Sequence, residues 1–215
     1  MESDLSNYRR NYQKIELSMK DISENPMELF QKWFFEVEEF GGDSETNAMT
    51  IATIGADGFP KSRAVLLKKY TWEGFIFYTN YNSEKGKAIE NNPNVCLSFL
   101  WHNIERQIII KGVAEKISEN ISDGYFESRP DGSKLGAWAS DQSEPVPSRK
   151  YLDDRLATFE KQFENKEITR PKNWGGFIVK PISIEFWQGR PNRMHDRIRY
   201  TLQENYDWKI ERLAP

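Results

Sequence analysis

From residue 48 onward, apolar residues recur at every second position in short runs broken by turn signals, a spacing that commits most of the chain to antiparallel strands. "AMTIATIGADGFPKSRAVLLKKY" reads as strand, a turn around Asp57 and Gly58, then strand, and "GFIFYTN" follows as a third. A short helix from Ser83 to about Asn91 precedes "NVCLSFLW" and "ERQIIIKGVAEKI", both β-rich. Helical stretches at roughly 119–128 and 149–164 flank a loop holding the turn-forming "RPDGS" and "SEPVPS". The end returns to strands in "WGGFIVKP", "SIEFWQ" and a hairpin "HDRIRYTLQENYDWKIERL" turning near Glu204 and Asn205. Ahead of all this, "ENPMELFQKWFFEVEEFGG" predicts a helix. Asn25 caps it, Pro26 takes the first position, Glu28 completes a capping box, and Gly41 and Gly42 stop it. Phe30, Trp33, Phe34 and Val37 make its buried stripe.

Seven or eight strands joined mostly by hairpin-length turns, with three or four helices, predict a mainly β fold. We expect a closed or nearly closed antiparallel barrel with peripheral helices, because no regular strand-helix-strand alternation runs through the chain. The 215 residues suit one domain, at 21–215, preceded by a flexible arm at 1–20 that lacks apolar periodicity and orders only against something else. Thirty basic against thirty-three acidic residues give a net charge of -3, which argues against nucleic acid and anionic membrane as partners and makes any anion site local. The single cysteine, Cys96, lies in the apolar run "VCLSFLW" and reads as a buried thiol in a reducing compartment. The polar start "MESDLSNYRR" has no signal-peptide core, so the expected location is the cytoplasm. With two histidines, one cysteine and no clustered carboxylates, no metal site is expected.

Against that acidic background, "RPNRMHDRIRY" concentrates four arginines and one of the two histidines. If residues 193–197 are extended, Arg193, His195 and Arg197 share one face about 6.6 to 7 Å apart. Three donors on one face suit an anion or ring clamp, and equally a solvated edge strand. The preceding "FWQG" favours the clamp, and arginine grips phosphate through two hydrogen bonds. In "SRAVLLKK" the odd separation sends Arg63 and Lys68 to opposite faces of a regular strand, so one pocket would need a bulge or an interface. Charged ends of a core strand are the plainer reading. Ser83 and Lys85 open a helix whose N–H groups suit phosphate, although Glu84 between them would repel it. Tyr125 and Arg129 lie one helical turn apart, Pro130 ends that helix and Ser133 follows in the turn; two hydroxyls and a guanidinium there suit a second anion site or a neutralised helix C-terminus. His102, beside Trp101, reads as structural or exposed.

Taken as an ordered set, "RAVLLK" at 63–68, "FYTN" at 77–80, "ERQ" at 105–107, "SRPDGSKLGAWASDQS" at 128–143, "FWQGRPNRMHDR" at 186–197 and the terminal "WKIERLAP" closely resemble the pyridoxine (pyridoxamine) 5′-phosphate oxidase family. The resemblance implies an FMN-binding antiparallel split β-barrel acting as a homodimer, with the flavin between subunits. By matching position, Arg63, Lys68, Tyr78, Thr79, Ser83, Lys85, Gln107, Gln142, Ser143, Trp187 and Arg197 would hold FMN, with the backbone around Val65 and Leu66 along its ring. Lys68, Tyr125, Arg129 and Ser133 would hold the substrate phosphate. Arg193 and His195 would form the catalytic pair facing the pyridine ring, Arg193 packing the substrate and His195 a hydrogen-bonding partner. Arg9 and Tyr12 match a mobile arm over the site. The implied reaction converts pyridoxine or pyridoxamine 5′-phosphate and O2 to pyridoxal 5′-phosphate and hydrogen peroxide. Two positions depart from the family pattern: Glu84 stands where a basic residue is common, and Lys134 where Gln is usual. A split-barrel reductase using a nicotinamide donor and a non-catalytic flavin carrier are the rival readings.

Overall fold

The period-two spacing is realised in strands β1 (Ala48–Ile54), β2 (Pro60–Leu66), β3 (Lys69–Thr71), β4 (Gly74–Asn80), β5 (Asn94–Trp101), β6 (Arg106–Lys116), β7 (Trp174–Gln188), β8 (Asp196–Leu202) and β9 (Trp208–Leu213). The helices are α1 (Pro26–Phe40), α2 (Glu84–Asn91), α3 (Glu119–Glu127), α4 (Asp131–Ala139) and α5 (Arg149–Gln162). This computed structural model describes residues 4–7, 11–40, 42 and 45–215. The sheet runs in the order β2-β1-β5-β6-β7-β4-β3, with β8 paired to β7 and β9 to β8. The β3–β4, β4–β7, β7–β8 and β8–β9 ladders are all antiparallel.

Strands and helices each number more than the expected seven or eight and three or four among the described residues, and both differences have local causes. The expected strand "SRAVLLKK" stops at Leu66, Leu67 turns inward to 4% exposure, and the chain restarts as the short β3, so Arg63 and Lys68 do not lie along one regular strand. The expected loop at "RPDGS" is instead the start of α4: Pro130 is extended at the cap, Asp131 sits in the first turn, and the Ser133 and Lys134 N–H groups donate to the Pro130 carbonyl. "WGGFIVKP" and "SIEFWQ" form a single strand, β7. Its proline is tolerated because Pro181 falls between the end of the β4 ladder at Val179 and the start of the β8 ladder at Ser183.

Contacts gather the chain into two units. One comprises residues up to Met49 with Leu97–Lys111 and Pro181–Pro215; the other comprises Thr50–Cys96 and Gly112–Lys180. The chain passes between them only inside β1, β5, β6 and β7, with no linker. In the first unit, the Asn25 side chain accepts from the Met27 N–H and opens α1, whose Phe30, Trp33 and Val37 are buried; Phe34 is only half-buried. Gly41 lies outside the described residues. Trp33 meets Phe186 edge-on at 5.1 Å and carries the Arg106 guanidinium 4.3 Å over its ring. Arg106 in turn pairs with Glu36 and donates through Nε to Gln188 Oε1 at 2.9 Å. In the second unit, Phe75, Phe77, Phe177 and Val179 form the core between β4 and β7, with Phe126 of α3 against Trp174. Cys96 is half-buried rather than buried, because its position in β5 has the intermediate exposure that alternates with the buried Val95 and Leu97. His102 is exposed, as one of the two readings had it.

Trp33→Ala removes a ring that also covers a buried cation. We expect a loss of about 3 to 5 kcal/mol in urea unfolding, and a loss below about 1 kcal/mol would show that α1 is not anchored through this ring.

Candidate functional site

In the second unit, the β4–β7 register sets Tyr78 opposite Gly176, and the missing side chain leaves room for flat rings. Tyr78 stacks on Tyr125 of α3 at 3.9 Å and 18°, and on Trp174 at 5.5 Å and 11°. These rings wall a cavity of about 480 Å³ whose polar lining includes Lys68, Thr79, Lys85, Arg129, Ser133 and Gln142. Its lining also includes Val65 and Leu66.

The Arg129 guanidinium lies 4.5 Å over the Trp174 ring, and its Nη1 is buried without a hydrogen-bond partner. Burial pulls its pKa down, yet a guanidinium remains charged. A half-buried cation whose buried Nη1 has no partner, set in a cavity wall, suits an anion. Burial also raises the Tyr78 and Tyr125 phenols, which keeps both protonated as hydrogen-bond donors near neutral pH. Lys85 Nζ sits 3.4 Å from both Thr79 Oγ1 and Gln142 Oε1, and the Thr79 hydroxyl donates to Gln142 Oε1 at 3.0 Å. Burial, then the nearby charge of Arg63, lowers the Lys85 pKa. Cations, hydroxyls, an amide and stacked rings in one cavity fit a phosphorylated aromatic group such as FMN or a pyridine phosphate.

Three other expected residues of this unit are outside the cavity lining. Ser83 is fully buried; its hydroxyl donates to the Asn80 carbonyl at 2.6 Å and accepts from the Gly86 N–H at 3.2 Å, so it caps α2. Arg63 turns to Glu84 at 2.7 Å. Ser143 is exposed with a φ of 76°, a left-handed backbone conformation.

The first unit holds a second cluster. Trp187 of β7 lies 4.6 Å from His195 and 5.7 Å from Tyr12, centroid to centroid, and Tyr12 meets His195 at 5.8 Å. The Arg190 N–H donates to His195 Nδ1 at 3.1 Å, which puts the proton of the neutral ring on Nε2. Burial, then the charge of Arg193, lowers the His195 pKa. Residues 193–197 are not extended throughout: Pro191–Arg193 form a 3-10 turn, Arg193 has φ 61°, and β8 starts only at Asp196. Pro191 fixes the turn's entry and Asn192, at φ 56°, tolerates the left-handed region, so Arg193 does not alternate with His195 on one strand face. Arg197 is held by Glu185 at 2.8 Å and by the Ala214 carbonyl at 2.8 Å. The Gln107 amide lies 3.5 Å from Ser98 Oγ. Arg9 lies outside the described residues.

Sequence reasoning missed Trp174, which closes the ring stack. Its signal was the pair of glycines directly behind it, which marks a close approach rather than an ordinary strand start.

Two family models match. The one described as pyridoxamine 5′-phosphate oxidase covers residues 36–163, and the one described as the pyridoxine 5′-phosphate oxidase C-terminal dimerisation region covers 174–215. The chain belongs to this family. Its curated relatives named pyridoxine/pyridoxamine 5′-phosphate oxidase include one from Flavobacterium johnsoniae, 66% identical over 99% of both chains, and one from Christiangramia forsetii, 52% identical over 100% of both. Among solved structures, PhzG from Burkholderia lata in complex with tetrahydrophenazine-1-carboxylic acid aligns with a TM-score of 0.86 at 26% identity, covering 94% of this chain and 100% of that one. A pyridoxamine 5′-phosphate oxidase-related, FMN-binding protein from Nostoc punctiforme aligns at 0.70 with 15% identity, covering 90% and 100%. The fold is therefore the antiparallel split β-barrel with peripheral helices of this flavoprotein family, and the chain is an enzyme of it.

Arg193→Gln removes the cation beside His195, so the imidazole pKa rises toward 6.5, the value from which it is lowered. NMR titration of the His195 ring checks this, and an unchanged midpoint would place the Arg193 charge away from the ring.

Proposed function

We propose that the chain oxidises pyridoxine 5′-phosphate or pyridoxamine 5′-phosphate to pyridoxal 5′-phosphate with FMN as cofactor. The alcohol and O2 give aldehyde and hydrogen peroxide; the amine, O2 and water give aldehyde, ammonia and hydrogen peroxide. The observation that carries the reading is the ring-walled cavity with the unused donor of Arg129 in its wall. The names borne by relatives at 66% and 52% identity over nearly the whole chain support it.

When bound, FMN supplies the hydride acceptor and the path for two electrons to O2. Lys85, Thr79 and Gln142 hold the cofactor, together with Arg63, Ser83, Ser143, Gln107, Trp187 and Arg197 as the family resemblance assigns them. Lys68, Tyr125, Arg129 and Ser133 clamp the substrate phosphate, which fixes the ring substituent and turns the transfer into an intramolecular step. Arg193, permanently charged, packs the pyridine ring and steadies its electron-rich forms, while neutral His195 offers its Nε2–H as a donor. The family resemblance assigns Tyr12 and Arg9 to a cover over the site.

Two observations support a homodimer, and the family resemblance assigns FMN to the space between its subunits. The C-terminal family match is a dimerisation region, and β2 ends the sheet order with no residue fully buried, an edge that a second copy would cover. Among the described residues no helix is long and apolar enough to cross a membrane, in keeping with a cytoplasmic enzyme.

Protein supplied with FMN and pyridoxine 5′-phosphate in air, without any nicotinamide donor, should form aldehyde and peroxide in equal amounts. Bound FMN without product would overturn the reading in favour of a carrier or a reductase. Arg129→Met should lower kcat/KM for the phosphorylated substrate by about 10- to 100-fold with FMN still bound; an unchanged value would remove Arg129 from the phosphate site.

A further inference from the structure

Glu84 spends both carboxylate oxygens on cations. Oε1 lies 2.6 Å from Lys61 Nζ and Oε2 lies 2.7 Å from Arg63 Nη2. Lys61 is itself shared with Asp57 at 3.2 Å, and the other Arg63 terminus donates to the Ser62 carbonyl at 2.8 Å. The guanidinium is thus anchored to an acid in the first turn of α2, next in sequence to Lys85, which lines the ring-walled cavity. Lys85 feels both neighbours, with Arg63 lowering its pKa and Glu84 raising it, so the three charges act on one small region.

We propose that Glu84 is an internal competitor for Arg63: its carboxylate occupies the guanidinium that the flavin phosphate would otherwise take, and so weakens the hold on the cofactor. The inference rests on the FMN reading above. A phosphate entering this region must either pull Arg63 from Glu84 or sit beside an uncompensated acid, and both oppose binding of a dianion. The carboxylate cannot relieve the conflict by protonation near neutral pH, because the hydrogen bond from Lys61, and then the charges of Lys61 and Arg63, hold it below the usual carboxylate range. The pairs are partly exposed, so the effect is moderate and sensitive to salt.

The test titrates FMN and, separately, riboflavin into flavin-free full-length protein, reading flavin fluorescence. Glu84→Gln should lower the FMN Kd by about 3- to 10-fold at low ionic strength, with the gain fading in about 1 M salt. Riboflavin, which has no phosphate, should bind both proteins equally, and the gain should vanish when Arg63→Ala is added. Equal or weaker FMN binding by Glu84→Gln, equal gains for both flavins, or a gain that survives Arg63→Ala overturns the inference. Wild-type protein that binds FMN while Glu84→Gln gains nothing sinks this inference alone, whereas wild-type protein that does not bind FMN sinks the cofactor reading with it.

Discussion

The close approach of Tyr78 and Tyr81 to the start of β7 is the contact from which the cavity follows. A Cβ on Gly175 would lie 2.1 Å from the Tyr81 hydroxyl, and one on Gly176 would lie 2.4 Å from Ile117 Cδ1 and 2.9 Å from Tyr78 Cε1. Only glycine leaves this space. The Tyr81 hydroxyl donates to the Gly176 carbonyl at 3.2 Å, and the Gly176 N–H donates to Ser122 Oγ at 3.2 Å. Ser122 is fully buried in α3, so the same peptide that admits the tyrosines clamps the helix. Tyr125 lies one turn further along α3, and its stacking on Tyr78 is a consequence of that clamp. Arg129 follows another turn on, beyond the end of α3, and reaches the Trp174 ring.

In the other unit, two carboxylates play the organising part. Glu105 is 4% exposed and accepts the Gln13 and Lys14 N–H groups through Oε2, at 3.0 and 3.1 Å. Its backbone carbonyl accepts from the Gly189 N–H at 2.7 Å. Asp196 accepts the Leu17 N–H at 3.1 Å and pairs with Arg212 at 2.7 Å, while Arg212 also donates to the Leu17 carbonyl. Residues 13–17 are held largely by their main chain, with the Lys14 ammonium on the Asn103 carbonyl, the Glu16–Arg190 pair and the buried Leu17 side chain added to it. This explains why the segment has no apolar periodicity to read: its order is encoded in Glu105 and Asp196, about 90 and 180 positions away. The Tyr12 ring packs where a Cβ on Gly189 would come within 2.8 Å of it, so the arm reaches Trp187 and His195 through a second missing side chain.

What was legible in the sequence was whatever local chemistry decides. The Asn25 cap, the Ser83 cap, the turn around Asp57 and Gly58 and the terminal hairpin all stand where their residues put them, because each depends on neighbours within five positions. The misses came where two local signals competed or where the decisive partner was remote. At "RPDGS" the turn-forming residues suggest a loop, yet Pro followed by Asp is also a helix start, and the apolar "LGAW" that follows settles it in favour of α4. At Pro181 the break in the ladder could be located only by knowing which strands flank β7. At Arg193 the alternation argument assumed an extended strand, and the left-handed Asn192 and Arg193 disprove that without moving Arg193 away from His195, whose pKa still registers its charge.

Fold alone does not choose a substrate, and here the donor count supplies a further argument. A solved neighbour of the same fold was crystallised with a ring carboxylic acid. A carboxylate presents two oxygens; a phosphate monoester presents three, with up to two charges to neutralise. Lys68, Arg129, Ser133 and Tyr125 offer two cations and two hydroxyls around one cavity, and the burial that keeps Tyr125 protonated keeps it a donor. Lys68 and Ser133 are exposed, so water can satisfy them, and of this set only Arg129 Nη1 is buried without a partner; leaving such a donor unpaired costs about 1 to 3 kcal/mol. An anion that reaches Arg129 Nη1 removes that penalty, and this is the support the cavity lends to the phosphorylated ring proposed above.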